Sequence, residues 1–96
     1  LKFACAAREL QSPQANSELD ASEMNYFFTW EKKNFTSEYI IEVGKDEKFA
    51  KTYKKVVKTN FIQMPLLTGT YYWRVFAKNG DLVSSPSQVY KIVIKP

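Results

Sequence analysis

Histidine is absent from this chain of 96 residues. That absence removes the side chain used most often as a general base, a metal ligand and a switch near neutral pH. Cysteine occurs once, at Cys5, so an internal disulfide, a thiolate–imidazole pair and a cysteine–histidine zinc site are all excluded. One cysteine also leaves the redox compartment open. The preceding Lys2-Phe3-Ala4 lacks the apolar stretch that a lipid-bearing lipoprotein cysteine requires. Three glycines and four prolines leave no room for a flexible or low-complexity tract, and no glycine-rich phosphate loop occurs. No apolar run approaches the ~18 residues that span a bilayer, so direct membrane insertion is not expected. An initiator methionine and a signal peptide are missing too, so the sequence reads as a mature or excised piece of something larger.

What is present is the composition of an ordered globular domain, with 45% hydrophobic and 16% aromatic residues. A single core can then bury about 65% of the unfolded surface. The formal charge is +4, from 14 basic and 10 acidic side chains. Lys45, Lys48, Lys51, Lys54, Lys55 and Lys58 crowd one segment. Such a run is either a patch for nucleic acid or the solubilising decoration of an edge strand. Asp46 and Glu47 interrupt it, and arginine, the preferred fork for phosphate, is absent from it. The edge strand is therefore the reading adopted, with no nucleic acid as partner.

Large apolar side chains fall on alternate positions in the two strongest segments: Tyr26, Phe28 and Trp30, then Tyr71, Trp73, Val75 and Ala77. A period of two marks a strand with one buried face. Residues 38–43 repeat the pattern, setting Tyr39, Ile41 and Val43 against Glu38, Ile40 and Glu42. An edge strand broken by Pro13 is expected over 10–20, a short strand over 61–66, and a last one over 89–94. Residues 46–55 hold good helix formers and a Phe49/Tyr53 pair at i, i+4, so a helix is one reading. A turn followed by an edge strand to about residue 58 is preferred, because β-branched residues gather at its end. Asn79-Gly80 with Asp81 is a hairpin turn, and Ser84-Ser85-Pro86-Ser87 is a loop or kink. About seven short strands at roughly ten-residue intervals predict an all-β protein, a seven-stranded antiparallel β-sandwich. Residues 1–9 are expected to be an N-terminal extension or frayed start, and residues 10–96 the domain.

Across nearly this whole span the chain resembles a fibronectin type III domain, in particular the variants common in bacterial surface and secreted proteins. The resemblance rests on Trp30, on Tyr39-Ile40-Ile41-Glu42-Val43, on Gly69-Thr70-Tyr71-Tyr72-Trp73-Arg74-Val75, and on Ser84-Ser85-Pro86-Ser87 before the last strand. It implies an immunoglobulin-like topology with a core Trp on the second strand. It also implies a tyrosine corner at Tyr71, with Tyr72 as the alternate, whose hydroxyl bonds a backbone group upstream. No cysteine pair bridges two sheets as in immunoglobulin domains, and the Arg-Gly-Asp tripeptide of integrin binding is absent.

Parity assigns Tyr26, Phe28, Trp30, Tyr39, Ile41, Val43, Tyr71, Trp73 and Val75 to the core. Ile40, Tyr72, Arg74 and Phe76 form an outward face, and Phe27 shares its parity. Such a face either packs across strands with Arg74 over a ring, or contacts an adjacent domain, a partner protein or a sugar. Glu31, Glu38, Glu42 and Asp46 offer carboxylates for glycosidase-like pairs, but Glu38 and Glu42 lie on the solvent parity and read as solvated charges. No catalytic residue, metal or cofactor is expected. The expected function is that of a noncatalytic module in a larger extracellular or cell-envelope protein. It would act as a spacer and interaction surface, with neighbouring domains of the same chain and an unknown protein as partners. The alternative is a carbohydrate-binding accessory module that stacks sugars on Tyr72, Phe76 and Tyr53. Asn34-Phe35-Thr36 fits the glycosylation sequon, which matters only for a secreted eukaryotic source.

Overall fold

The computed structural model describes residues 10–21, 25–34 and 36–96; the expected extension at 1–9, with Cys5, and the central Phe35 of the sequon lie outside the described residues. Among the described residues nine strands form and no helix: β1 (Leu10–Ser12), β2 (Ser17–Asp20), β3 (Tyr26–Trp30), β4 (Glu38–Gly44), β5 (Thr52–Val57), β6 (Phe61–Met64), β7 (Gly69–Asn79), β8 (Leu82–Val83) and β9 (Tyr90–Lys95). One sheet has the order β1-β3-β6, and the other β2-β9-β7-β4-β5 with β8 paired to β7. The expected all-β sandwich is what forms, and residues 46–51 are turn and bend leading into β5 rather than helix.

Two expectations are corrected. Among the described residues the strands number nine, not seven, first because the segment expected as one broken strand over 10–20 divides between the sheets. Pro13 has no N–H to donate to a ladder. Beyond it Asn16 turns the chain at φ 64, and the Ser17 amide and hydroxyl both donate to the Gln14 carbonyl, at 3.2 and 2.6 Å. The chain thus crosses between sheets without reversing, and β2 comes to lie beside β9 running the same way. Their register, from Ser17 opposite Ile92 to Asp20 opposite Lys95, is parallel, where a wholly antiparallel sandwich was expected. The other addition is β8, a two-residue return beyond Gly80.

Alternation determines what lies between the sheets. Tyr26, Phe28, Trp30, Tyr39, Ile41, Val43, Tyr71, Trp73 and Val75 all lie in one buried cluster, with Leu10, Met64, Ala77, Ile92 and Ile94. Rings meet edge to face, Phe28 against Trp73 at 4.9 Å between centroids and Trp30 against Tyr39 at 5.7 Å. This geometry places electropositive edges on electronegative faces. Among the described residues neither indole N–H has a hydrogen-bond acceptor, so both Trp residues serve the core as bulk and ring contact.

β9 reaches along β7 only as far as Trp73. Farther on, the serines of residues 84–87 complete the edge. Ser87 Oγ accepts from the Val75 amide and Ser84 Oγ from the Ala77 amide, both at 2.9 Å. At the opposite end of β7, Tyr71 Oη donates to the Leu67 carbonyl at 2.9 Å, which forms the corner expected at Tyr71. Leu10 lies opposite Trp30, where β3 finishes, whereas Ile94 lies opposite Gly69, where β7 begins. β1 therefore starts at one end of the sandwich and β9 finishes at the other, across a body 43 × 23 × 22 Å in extent.

Candidate functional site

Ile40, Glu42 and Gly44 lie opposite Phe76, Arg74 and Tyr72 on the outer face of the larger sheet. The topology thus brings the four positions of the expected interaction face together on two adjacent strands. Ile40, Tyr72, Arg74 and Phe76 are all half-buried rather than open. Arg74 Nε donates to Glu42 Oε1 at 2.8 Å, and its guanidinium carbon lies 4.1 Å from the ring centre of Phe49 and 5.2 Å from that of Phe76. Of the two carboxylates expected to be solvated, Glu42 is only 4% exposed, which corrects that expectation. Glu38 is half-buried and takes a bond from Lys78 Nζ at 3.2 Å. Glu42 is paired with Arg74, whose guanidinium Phe49 in turn covers.

Phe49 belongs to the loop between β4 and β5, yet its ring is buried against the outer face of the sheet. Asp46 shapes the approach: its carbonyl accepts from the Phe49 amide and its Oδ1 from the Lys48 amide at 2.8 Å. The loop carries Phe49 through φ 54, a left-handed conformation costly for a bulky residue. Gly44 makes the landing possible. A Cβ there would stand 3.2 Å from Phe49 and 3.1 Å from Thr52, closer than side chains ordinarily pack. The outer face is therefore a small second core, in which a cation lies between two rings and a buried carboxylate.

The exposed aromatics lie elsewhere. On the outer face of the smaller sheet Phe27 and Phe61 are 47% and 44% exposed, and their rings stack at 5.7 Å with 21° between planes. Parity places Phe27 outward, but the diagonal register that brings Phe61 beside it, Phe27 opposite Gln63 and Thr29 opposite Phe61, is a cross-strand property. Tyr53 is the third open ring. It borders an open cleft of ≈ 580 Å³ between β5 and β6, floored by Val43, Met64, Leu66 and Tyr71. Lys45 and Lys51 stand at its rim, and Lys45 Nζ lies 5.4 Å from the centre of the Tyr71 ring.

β5 ends its sheet, so Lys54 and Lys55 decorate an edge strand, and all six lysines of the run are exposed. Among the described residues no group of three or more His, Cys, Asp or Glu side chains is placed to hold a metal ion. The candidate carboxylates are dispersed: Glu42 is tied to Arg74, Glu38 to Lys78, and Asp46 to its own turn, while Glu31 is exposed beyond β3.

Solved structures of similar shape share this two-sheet arrangement. Fibronectin(III)-like modules of Clostridium thermocellum CbhA superpose with a TM-score of 0.66 at 18% identity, over 91% of this chain and 94% of theirs. A Fn3-like protein from Clostridium thermocellum gives 0.67 at 12% identity, over 96% and 97% of the two chains. The fibronectin type-III domain of human fibronectin type III domain containing protein 3 gives 0.63 at 15% identity, over 99% and 92%. No protein-family model and no curated protein sequence matches the chain.

Proposed function

The chain has the fibronectin type III fold, and from that premise we propose that it is a noncatalytic module of a larger extracellular or cell-envelope protein, a spacer that also offers interaction surfaces. The observation that carries this reading is the course of the chain, with β1 starting and β9 finishing at opposite ends of an elongated body. Modules joined through such ends extend a chain instead of folding back on it. Support for the absence of catalysis comes from the missing histidine and from carboxylates engaged in structural pairs. The CbhA modules of similar fold come from a bacterial protein, in keeping with a bacterial modular parent. Neighbouring domains are the first partners to expect, with Ile40, Tyr72, Arg74 and Phe76 as one contact face.

Small-angle scattering of two copies joined in series tests the spacer role. The maximum dimension should grow by about one module length; a value near that of a single copy would refute an extending spacer. A second reading, carbohydrate binding, is favoured by the stacked and exposed Phe27–Phe61 pair. It moves the sugar platform from half-buried Tyr72 and Phe76 to the smaller sheet. Soluble glucans should then shift the Phe27 and Phe61 ring resonances, and silence across a glycan panel removes that reading.

A further inference from the structure

The cleft between β5 and β6 combines three features. Its walls are apolar, from Val43, Met64, Pro65, Leu66 and the rings of Tyr53 and Tyr71. Its volume, ≈ 580 Å³, falls within the range of pockets that take bulky groups. It is flanked by the last strand of each sheet, since β5 and β6 both end their sheet orders. On an end strand every second residue turns its N–H and C=O away from the sheet, so β5 offers a main-chain edge beside an apolar slot.

The charge along this side is predominantly positive. Lys45 and Lys51 rim the cleft, and Lys54, Lys55 and Lys58 continue the exposed ribbon along and beyond β5. None of the five is in an ion pair among the described residues. Of the acidic groups on the same hairpin, Glu38 is paired with Lys78 and Glu42 with Arg74, and Asp46 Oδ1 accepts backbone amides, so Asp46 and Glu47 are the two carboxylates set against five lysines. A single carboxylate would meet only the rim. A ribbon that outlasts the cleft calls for a ligand that is extended, negative along its length and apolar at one point.

We infer that the β5–β6 side is a docking groove for an extended acidic peptide segment, which seats a bulky apolar side chain in the cleft and runs along β5 as an added strand. Main-chain bonds supply affinity and the slot supplies selectivity, as in strand addition generally, while the lysines steer the encounter. This surface is separate from the outer sheet faces, so its failure leaves the spacer role intact. The scattering experiment on joined copies, in turn, is blind to it.

The test is a labelled peptide with a Val-Leu-Phe centre flanked on each side by three glutamates, titrated into the isotope-labelled protein. Saturable binding should shift the amide resonances of Lys51, Tyr53 and Leu66 and leave Phe27 and Phe61 unmoved. Tyr53→Ala and Lys51→Glu, both at exposed positions, should each weaken binding at least tenfold while the thermal unfolding midpoint stays near that of the parent. Equal affinity for a peptide with the same glutamates and a Gly-Ser centre would overturn the groove. So would heparin or a single-stranded oligonucleotide that binds the same lysines at least as tightly and ignores Tyr53→Ala, because the site would then be a polyanion patch.

Discussion

Arg74 is held by a buried carboxylate on one side and by rings on two others, and at the scale of single residues the stability of the outer face depends on Phe49. Removing that ring exposes apolar area to water and leaves the Arg74 guanidinium open on one side. Phe49→Ala should cost about 2–3 kcal/mol from lost burial and cation–π contact, less whatever is regained by relieving the left-handed backbone. Tyr71→Phe keeps its ring and loses one hydrogen bond to Leu67, so about 1 kcal/mol is expected. Urea unfolding measures both, and a Phe49→Ala cost no larger than that of Tyr71→Phe would mean the ring is only resting on the surface. Tyr71 and Trp73 were legible in the sequence because parity alone places them inward. Phe49 and the burial of Glu42 were not, because a left-handed turn at a bulky residue follows no periodicity and the Phe49/Tyr53 spacing imitates a helix. The available signal was Gly44, the one position on the outer parity of β4 without a side chain.

At the scale of elements, β5 shows how the lysine run is used. Lys55 lies opposite Ile41, so it shares the inward parity of Tyr53 and Val57 at the rim of the sandwich. A charge pointing inward on an end strand discourages pairing by any chain that brings no acidic group to meet it, a second copy of β5 included, and leaves the edge to an acidic segment. Lys55→Val should leave the monomer as stable or slightly more so, yet cause association that grows with concentration. Sedimentation would follow this, and a variant that stays monomeric at high concentration would show that the other lysines suffice. The edge character of β5 could be read from its lysines and the inward set of β3, β4 and β7 from their alternation. The crossing of β1 and β2 into different sheets could not. A period of two tells which face of a strand is buried, but says nothing about which strand lies beside it or in which direction that neighbour runs.

For the molecule as a whole, alternating strands with two indoles on the inward parity were enough to indicate a two-sheet sandwich. Its places of contact with other molecules were harder to read, because the Phe27–Phe61 stack and the β5–β6 cleft arise only from register and from strands that meet across the sequence. The parallel pairing of β2 with β9 carries a mechanical consequence. Tension applied through the two ends of the domain pulls these strands in opposite directions along their own axes. Their four paired positions then bear load together in shear, and so do the bonds between them. Attachment at Ala21 and Pro96, on the same end of both strands, would instead peel those bonds one after another. Single-molecule pulling should accordingly record a higher rupture force end to end than with the Ala21–Pro96 handles, and equal forces would place the mechanical clamp elsewhere. On this geometry the short parallel ladder, rather than any antiparallel hairpin, is the element that a pull from both ends loads in shear.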